Sequence, residues 1–299
     1  MRWLPLVPRE LHTTDRPSST AQWTTLGRAL ELGRPSDERI VTDDYAPAFL
    51  SGPSRALMAP LRAAGPVVRR AEHLELANLS TSALCRHRFI DEHLLESLPD
   101  VSQVLILGAG YDSRAYRFAR AIGSRPVYEV DLPPLSRRKA AIVTSRPELF
   151  GSASVHRVEI DFRTQSLPDR LAESGFRAGV PTFVVWEGVS MYLTRDAVVA
   201  TLGALTSVCG PGSVLAMDCW RRVGGRSVYD QLRRLGERAI RLIGEPITFS
   251  ITPDDVSRLI GGAGFDVLDL ATAGEMTRRY ATAGRHCDEG MYVVAGRLR

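Results

Sequence analysis

Cysteine is scarce: Cys85, Cys209, Cys219 and Cys287 are four in 299 residues, far apart and without a Cys-x-x-Cys or a metal-like spacing with histidine. Such usage excludes a disulfide framework and a zinc site, and it suits a reduced, cytoplasmic setting. Long hydrophobic runs are missing as well. No segment approaches the ~20 apolar residues of a membrane span, and Pro5, Pro8, Glu10 and His12 interrupt the run that a signal peptide needs. No one sign of charge dominates either, since 38 Lys+Arg stand against 34 Asp+Glu for a net +4. The basic clusters Arg69-Arg70, Arg137-Arg138-Lys139, Arg221-Arg222 and Arg233-Arg234 read as solvated helix faces, so neither nucleic acid nor membrane is expected as a partner. There is no internal repeat and no signal for an oligomeric state. The only biased stretch is the Pro-, Ser- and Thr-rich start, residues 1–22, which reads as a mobile arm.

What the chain does have is 44% hydrophobic residues, enough for one large core. Residues 23–98 read as a helical cap, with helices over 24–32, 44–50, 54–70 and 74–98 from apolar spacings of three and four. From residue 99 onward short apolar strands alternate with helices. Strands are predicted at 103–108, 126–131, 154–159, 181–186, 213–218, 265–270 and 290–297, and helices near 113–122, 134–145, 165–174, 195–208 and 253–263. This is the pattern of an α/β fold built on a mostly parallel seven-stranded sheet. Residues 220–250 interrupt it after the fifth strand and read as an insertion that covers a ligand crevice.

In such a sheet the ligand lies beyond the carboxyl ends of the strands, so each strand end is a place to look for chemistry. The first strand ends in Gly108-Ala109-Gly110-Tyr111-Asp112, where glycine permits positive φ and lets a ligand come close to the backbone. The second ends in Asp131, about 20 residues later, where an acid can accept both hydroxyls of a ribose. Asp131 has a plainer reading, as the cap of the helix that follows Pro133-Pro134. The third strand ends in Asp161-Phe162, an acid and an aromatic suited to the amine and ring of adenine. The fourth ends in Glu187-Gly188-Val-Ser-Met-Tyr192, and a carboxylate after so apolar a strand calls for a cationic or polar ligand. Together these ask for an adenosine that carries a positive group. S-adenosyl-L-methionine, with its sulfonium and ammonium, meets that better than a dinucleotide with its pyrophosphate. An NAD(P)-dependent dehydrogenase remains the alternative from another class, although Ser113 stands where its fingerprint has a third glycine. A catalytically silent binding protein on the same fold is a further alternative.

The segments Leu107-Gly-Ala-Gly-Tyr-Asp-Ser-Arg-Ala-Tyr-Arg117, Tyr128-Glu-Val-Asp-Leu-Pro133 and Trp186-Glu-Gly-Val-Ser-Met-Tyr-Leu193 resemble the signatures of the leucine carboxyl methyltransferase family. The likeness is to its bacterial branch of small-molecule O-methyltransferases. It extends to Arg86-His-Arg-Phe-Ile-Asp91 and Asp43-Asp-Tyr-Ala-Pro-Ala-Phe49, covering roughly residues 23 to 298. The resemblance implies a Rossmann-like class I methyltransferase fold with S-adenosyl-L-methionine as cofactor. It further implies that Arg86 meets the methionine carboxylate and Gly108, Ala109, Gly110 and Leu132 line the cofactor. Asp131 would hold the ribose, Asp161 and Phe162 the adenine, and Glu187 the amino group; Arg28 stands near where eukaryotic members use a lysine. The acceptor implied is a small molecule such as a polyketide, more than a protein C-terminus.

Methyl transfer from a sulfonium is an in-line displacement in which alignment supplies most of the rate. A carboxylate acceptor needs only groups that orient it, for which Arg86, Tyr192, Arg221 and Arg222 are candidates, whereas a hydroxyl needs a base within reach. Tyr192 and Arg86 are the expected catalytic residues, and the alternative reading of Tyr192 is a packed wall. Five of the six histidines, His73, His87, His93, His156 and His286, read as surface or core residues.

Overall fold

A computed structural model of the chain describes residues 19–63, 75–151, 153–162, 164–223 and 247–299. The arm up to residue 18, the end of the helix expected at 54–70, His73 and most of the 220–250 insertion lie outside the described residues. Seven strands form one sheet: β1 (Gln103–Leu107), β2 (Val127–Asp131), β3 (Val155–Glu159), β4 (Thr182–Trp186), β5 (Val214–Trp220), β6 (Phe265–Ala271) and β7 (Met291–Leu298). Their order is β3-β2-β1-β4-β5-β7-β6, parallel except for β7, which runs antiparallel to both neighbours. The order reverses between β1 and β4, the switch point at which open α/β sheets bind ligands.

β1, β4 and β5 are buried at every position, and the period of two sorts their side chains onto two faces. On one face Leu105, Leu107, Val184, Trp186, Leu215 and Met217 pack under helices α9 (Leu167–Glu173), α10 (Arg195–Val208) and α11 (Pro253–Gly262). On the other, Val104, Ile106, Phe183, Val185, Val214 and Ala216 meet Phe89, Ile90 and Leu94 of α4 (Glu75–Ser97) and Met276 of α12 (Ala273–Tyr280). The last helix of the cap is therefore one of the layers that cover the sheet.

Ahead of it, α1 (Ser19–Glu31) starts inside the segment read as an arm, and Gln22 ties it to the end of α2 (Ala46–Phe49) and the chain just beyond, donating to the Phe49 carbonyl at 3.1 Å and accepting from Ser51 N–H at 2.8 Å. α3 is described over Gly52–Ala63. The helix expected at 113–122 is two short ones, α5 (Arg114–Arg117) and α6 (Ala119–Ile122), parted at Phe118. After β2 comes α7 (Pro133–Thr144), and the four-residue α8 (Pro147–Phe150) follows, which the pattern did not announce. Nor did it announce α12. One solvated reading is also overturned: Lys139 of the basic cluster on α7 is buried, because its ammonium meets the Glu129 carboxylate of β2 at 2.8 Å.

Candidate functional site

Register builds the site. Leu107 pairs with Val130 and with Trp186, and Trp186 pairs with Met217, so Gly108, Asp131, Glu187 and Asp218 fall in one row across the carboxyl edge of four neighbouring strands. Gly108 and Gly110 both have positive φ, 65° and 43°, which an L side chain would strain. The turn they make is fastened to β2, as the Val130 carbonyl accepts from Gly108 N–H at 2.8 Å and Ala109 N–H at 3.1 Å. A Cβ on Gly108 would lie 2.3 Å from Cγ2 of Val189, so the close approach this glycine allows is partly to the chain's own loop after β4.

Asp131 crosses to that turn: Oδ2 accepts from Gly110 N–H at 2.5 Å and Oδ1 from Leu132 N–H at 2.7 Å. Leu132 is the residue that precedes α7, and no side chain caps that helix, so Asp131 does not act as its cap. Burial pushes the Asp131 carboxyl up, while the two amide donors resist.

Arg86 and Glu187 meet at 3.0 Å, and the arginine is only 5% exposed rather than on a helix surface. Its Nη1 donates to Oδ2 of Asp218 at 2.8 Å, and Nη2 makes no hydrogen bond among the described residues. Burial opposes the charge of Arg86, but Asp218 and Glu187 outweigh it and hold the guanidinium above its ordinary range. Glu187 is shared further, with His87 Nδ1 at 3.0 Å and Arg114 Nη1 at 2.8 Å. Burial works against its ionisation, yet His87, Arg114 and Arg86 keep its carboxyl well below the usual range.

Behind Glu187 lies a buried network that spacing alone did not reveal. Arg114 pairs with Asp91 at 2.7 Å and with Asp112 beneath the glycine turn, and Arg117 takes Asp91 at 2.7 Å. Nη2 of Arg117 also lies 2.9 Å from Nε2 of His87. Nδ1 faces Nη2 of Arg114 at 2.9 Å as well as the Glu187 carboxylate, so an always-charged donor stands at each ring nitrogen and opposes a positive charge on His87. Burial, and then Arg114, depress its pKa in the same direction. From the cap, Arg28 donates to Asp43 at 2.8 Å and to the Tyr111 carbonyl at 2.8 Å, and Ser113 adds a hydrogen bond to Asp43 at 2.7 Å. The cap and the turn are thus one polar unit.

Other expected residues lie further out. Asp161 and Phe162 are half-buried past β3, and Phe162 packs against the core under α9. Tyr192 sits in a short 3₁₀ turn, Ser190–Tyr192, against Met191, Trp220 and Met291. Arg221 donates to the Glu289 carbonyl at 2.6 Å. His156 and His286 are exposed, and His93 lies 3.3 Å from Asp269, away from the row. Asp218 is the member of the row that the strand-end reading passed over, and its signal was a lone acid inside the apolar run of β5.

The leucine carboxyl methyltransferase family profile matches residues 21–206, more than half of the chain. The chain belongs to that family. A protein of Streptomyces coelicolor, provisionally named an S-adenosyl-L-methionine-dependent methyltransferase, is 30% identical over 250 residues, covering 83% of this chain and 82% of that one. Another of the same provisional name, from Parafrankia sp., is 34% identical over 201 residues; the match takes in 67% of this chain and 62% of that protein. A crystal structure of a provisionally assigned methyltransferase from Thermobifida fusca shares the fold, with a TM-score of 0.56 at 18% identity over 91% of this chain and 97% of that one. This member of the family is an S-adenosyl-L-methionine-dependent methyltransferase. Its own residues fit that cofactor. Asp131 keeps spare lone pairs for two hydroxyls, Glu187 offers a carboxylate for an ammonium, and Nη2 of Arg86 is a donor without a protein partner among the described residues.

Proposed function

We propose that this methyltransferase acts on oxygen, methylating a carboxylate or hydroxyl of a small molecule by in-line displacement. The acceptor class we infer is a secondary metabolite. The observation that supports the reading best is the row Gly108, Asp131, Glu187 at the switch point, with Arg86 beside it. S-adenosyl-L-methionine, when bound, supplies an activated methyl on a sulfonium. Around it Arg86 binds the methionine carboxylate through Nη2, Glu187 accepts from the ammonium, and Asp131 accepts from the ribose hydroxyls. Asp161 accepts from the adenine amine, Phe162 flanks the ring, and the Gly108-Ala109-Gly110 backbone and Leu132 form the wall at the methionine part and the sugar. The catalytic roles proposed are for Tyr192 and Arg86, which orient the acceptor oxygen.

Calorimetry with S-adenosylhomocysteine and with NADPH tests the cofactor end, and binding of the first with no heat from the second is expected. Methyl transferred from labelled cofactor to a carboxylate is released by mild alkali, whereas an alkali-stable product points to a hydroxyl acceptor. A label retained on nitrogen or carbon overturns the reading.

A further inference from the structure

The row at the carboxyl edge ends in Asp218, a carboxylate that is 0% exposed and that β5 carries next to Glu187. Its two oxygens have separate tasks. Oδ2 accepts from Nη1 of Arg86 at 2.8 Å, and Oδ1 accepts from Gly188 N–H at 2.6 Å. One side chain thus fixes both the guanidinium and the turn that presents Glu187. Gly188 completes the fit. Its φ is +69°, and a Cβ there would stand 3.4 Å from Nη2 of Arg86. Glu187 cannot fill this role by itself, because it is divided among Arg86, His87 and Arg114. An arginine on flexible methylenes stays put only if its other donors are held, and a buried carboxylate facing one arginine is a directional hold.

We propose that Asp218 is a positioning residue: it holds Arg86 by Nη1 and the Glu187-Gly188 turn by its amide, so that Nη2 is kept for the methionine end of the cofactor. This rests on the reading that Arg86 meets the methionine carboxylate. S-adenosylhomocysteine has that amino-acid end and 5′-methylthioadenosine lacks it, so calorimetry with both on the full chain separates positioning from mere stability. In Asp218→Asn, homocysteine-product affinity should fall by about tenfold or more while methylthioadenosine affinity stays within about twofold. Arg86→Met should show the same selective loss. The double variant, which removes both buried charges together and so guards against a single variant that does not fold, should bind as Arg86→Met does. If Asp218→Asn weakens both ligands alike, or neither, while Arg86→Met is selective, the positioning role is overturned and the Arg86 reading stands. An additive further loss in the double variant overturns it equally. If Arg86→Met is not selective, the Arg86 reading itself fails.

Discussion

Asp131 shows how much of the chemistry is decided by one side chain's surroundings. Two backbone amides hold its oxygens, and each oxygen retains a lone pair for a hydroxyl. Asp131→Ala is expected to weaken S-adenosylhomocysteine binding by roughly 1–3 kcal/mol, read by calorimetry. Equal affinity in the two proteins would remove the ribose role. That acid was legible in the chain, since it closes an apolar strand at the interval that follows a Gly-x-Gly turn. Asp218 was not. In β5 it is one polar residue among Val214, Leu215, Ala216, Met217, Cys219 and Trp220, and only the pairing of Trp186 with Met217 sets it beside Glu187. Lys139 teaches the same point from the other side: next to Arg137 and Arg138 it looks solvated, yet its partner Glu129 lies on a strand behind the helix.

At the scale of elements, the turn after β1 depends on what faces it. Gly108→Ala would combine a strained φ with a contact to Val189 that no Cβ tolerates, so a loss of about 2–4 kcal/mol is expected in urea unfolding. Adding Val189→Ala should recover the part due to the clash and leave the part due to the backbone. No recovery would mean that strain alone sets the cost. The strands and the longer helices were readable because their periods repeat over enough residues. α12 was not, for Ala273, Met276 and Tyr280 keep the helical spacing over only eight residues. Nor does anything local part α5 from α6. Arg114 and Arg117 on α5 both turn into the buried network, a demand made by Asp91 of α4 and absent from the segment itself.

For the molecule as a whole, the buried network couples stability to pH. Burial, then Arg114, depress the His87 imidazole below its ordinary 6.5, so the unfolded chain takes up a proton there that the folded chain refuses. The stability that His87 contributes above that pH is therefore lost as pH falls below 6.5. Glu187 and Asp112, both held low, extend the loss below the ordinary carboxylate range, while burial pushes Asp131 and Asp218 the opposite way. His87→Gln isolates the first step: its melting temperature should drop less than the wild type's between about pH 7.5 and about pH 5.5. Identical drops would show that His87 is not the group titrating. The layered α/β architecture, the glycine turn and the acids at the strand ends can be read along the chain, because these are periodic or local and need no knowledge of neighbours. Which charges are buried, and with whom, follows from the way the elements pack. Arg86 finds Asp218 132 residues away, and such a pair is set by strand register and helix placement, which put distant carboxylates and guanidinium groups in one water-poor space where each must be matched.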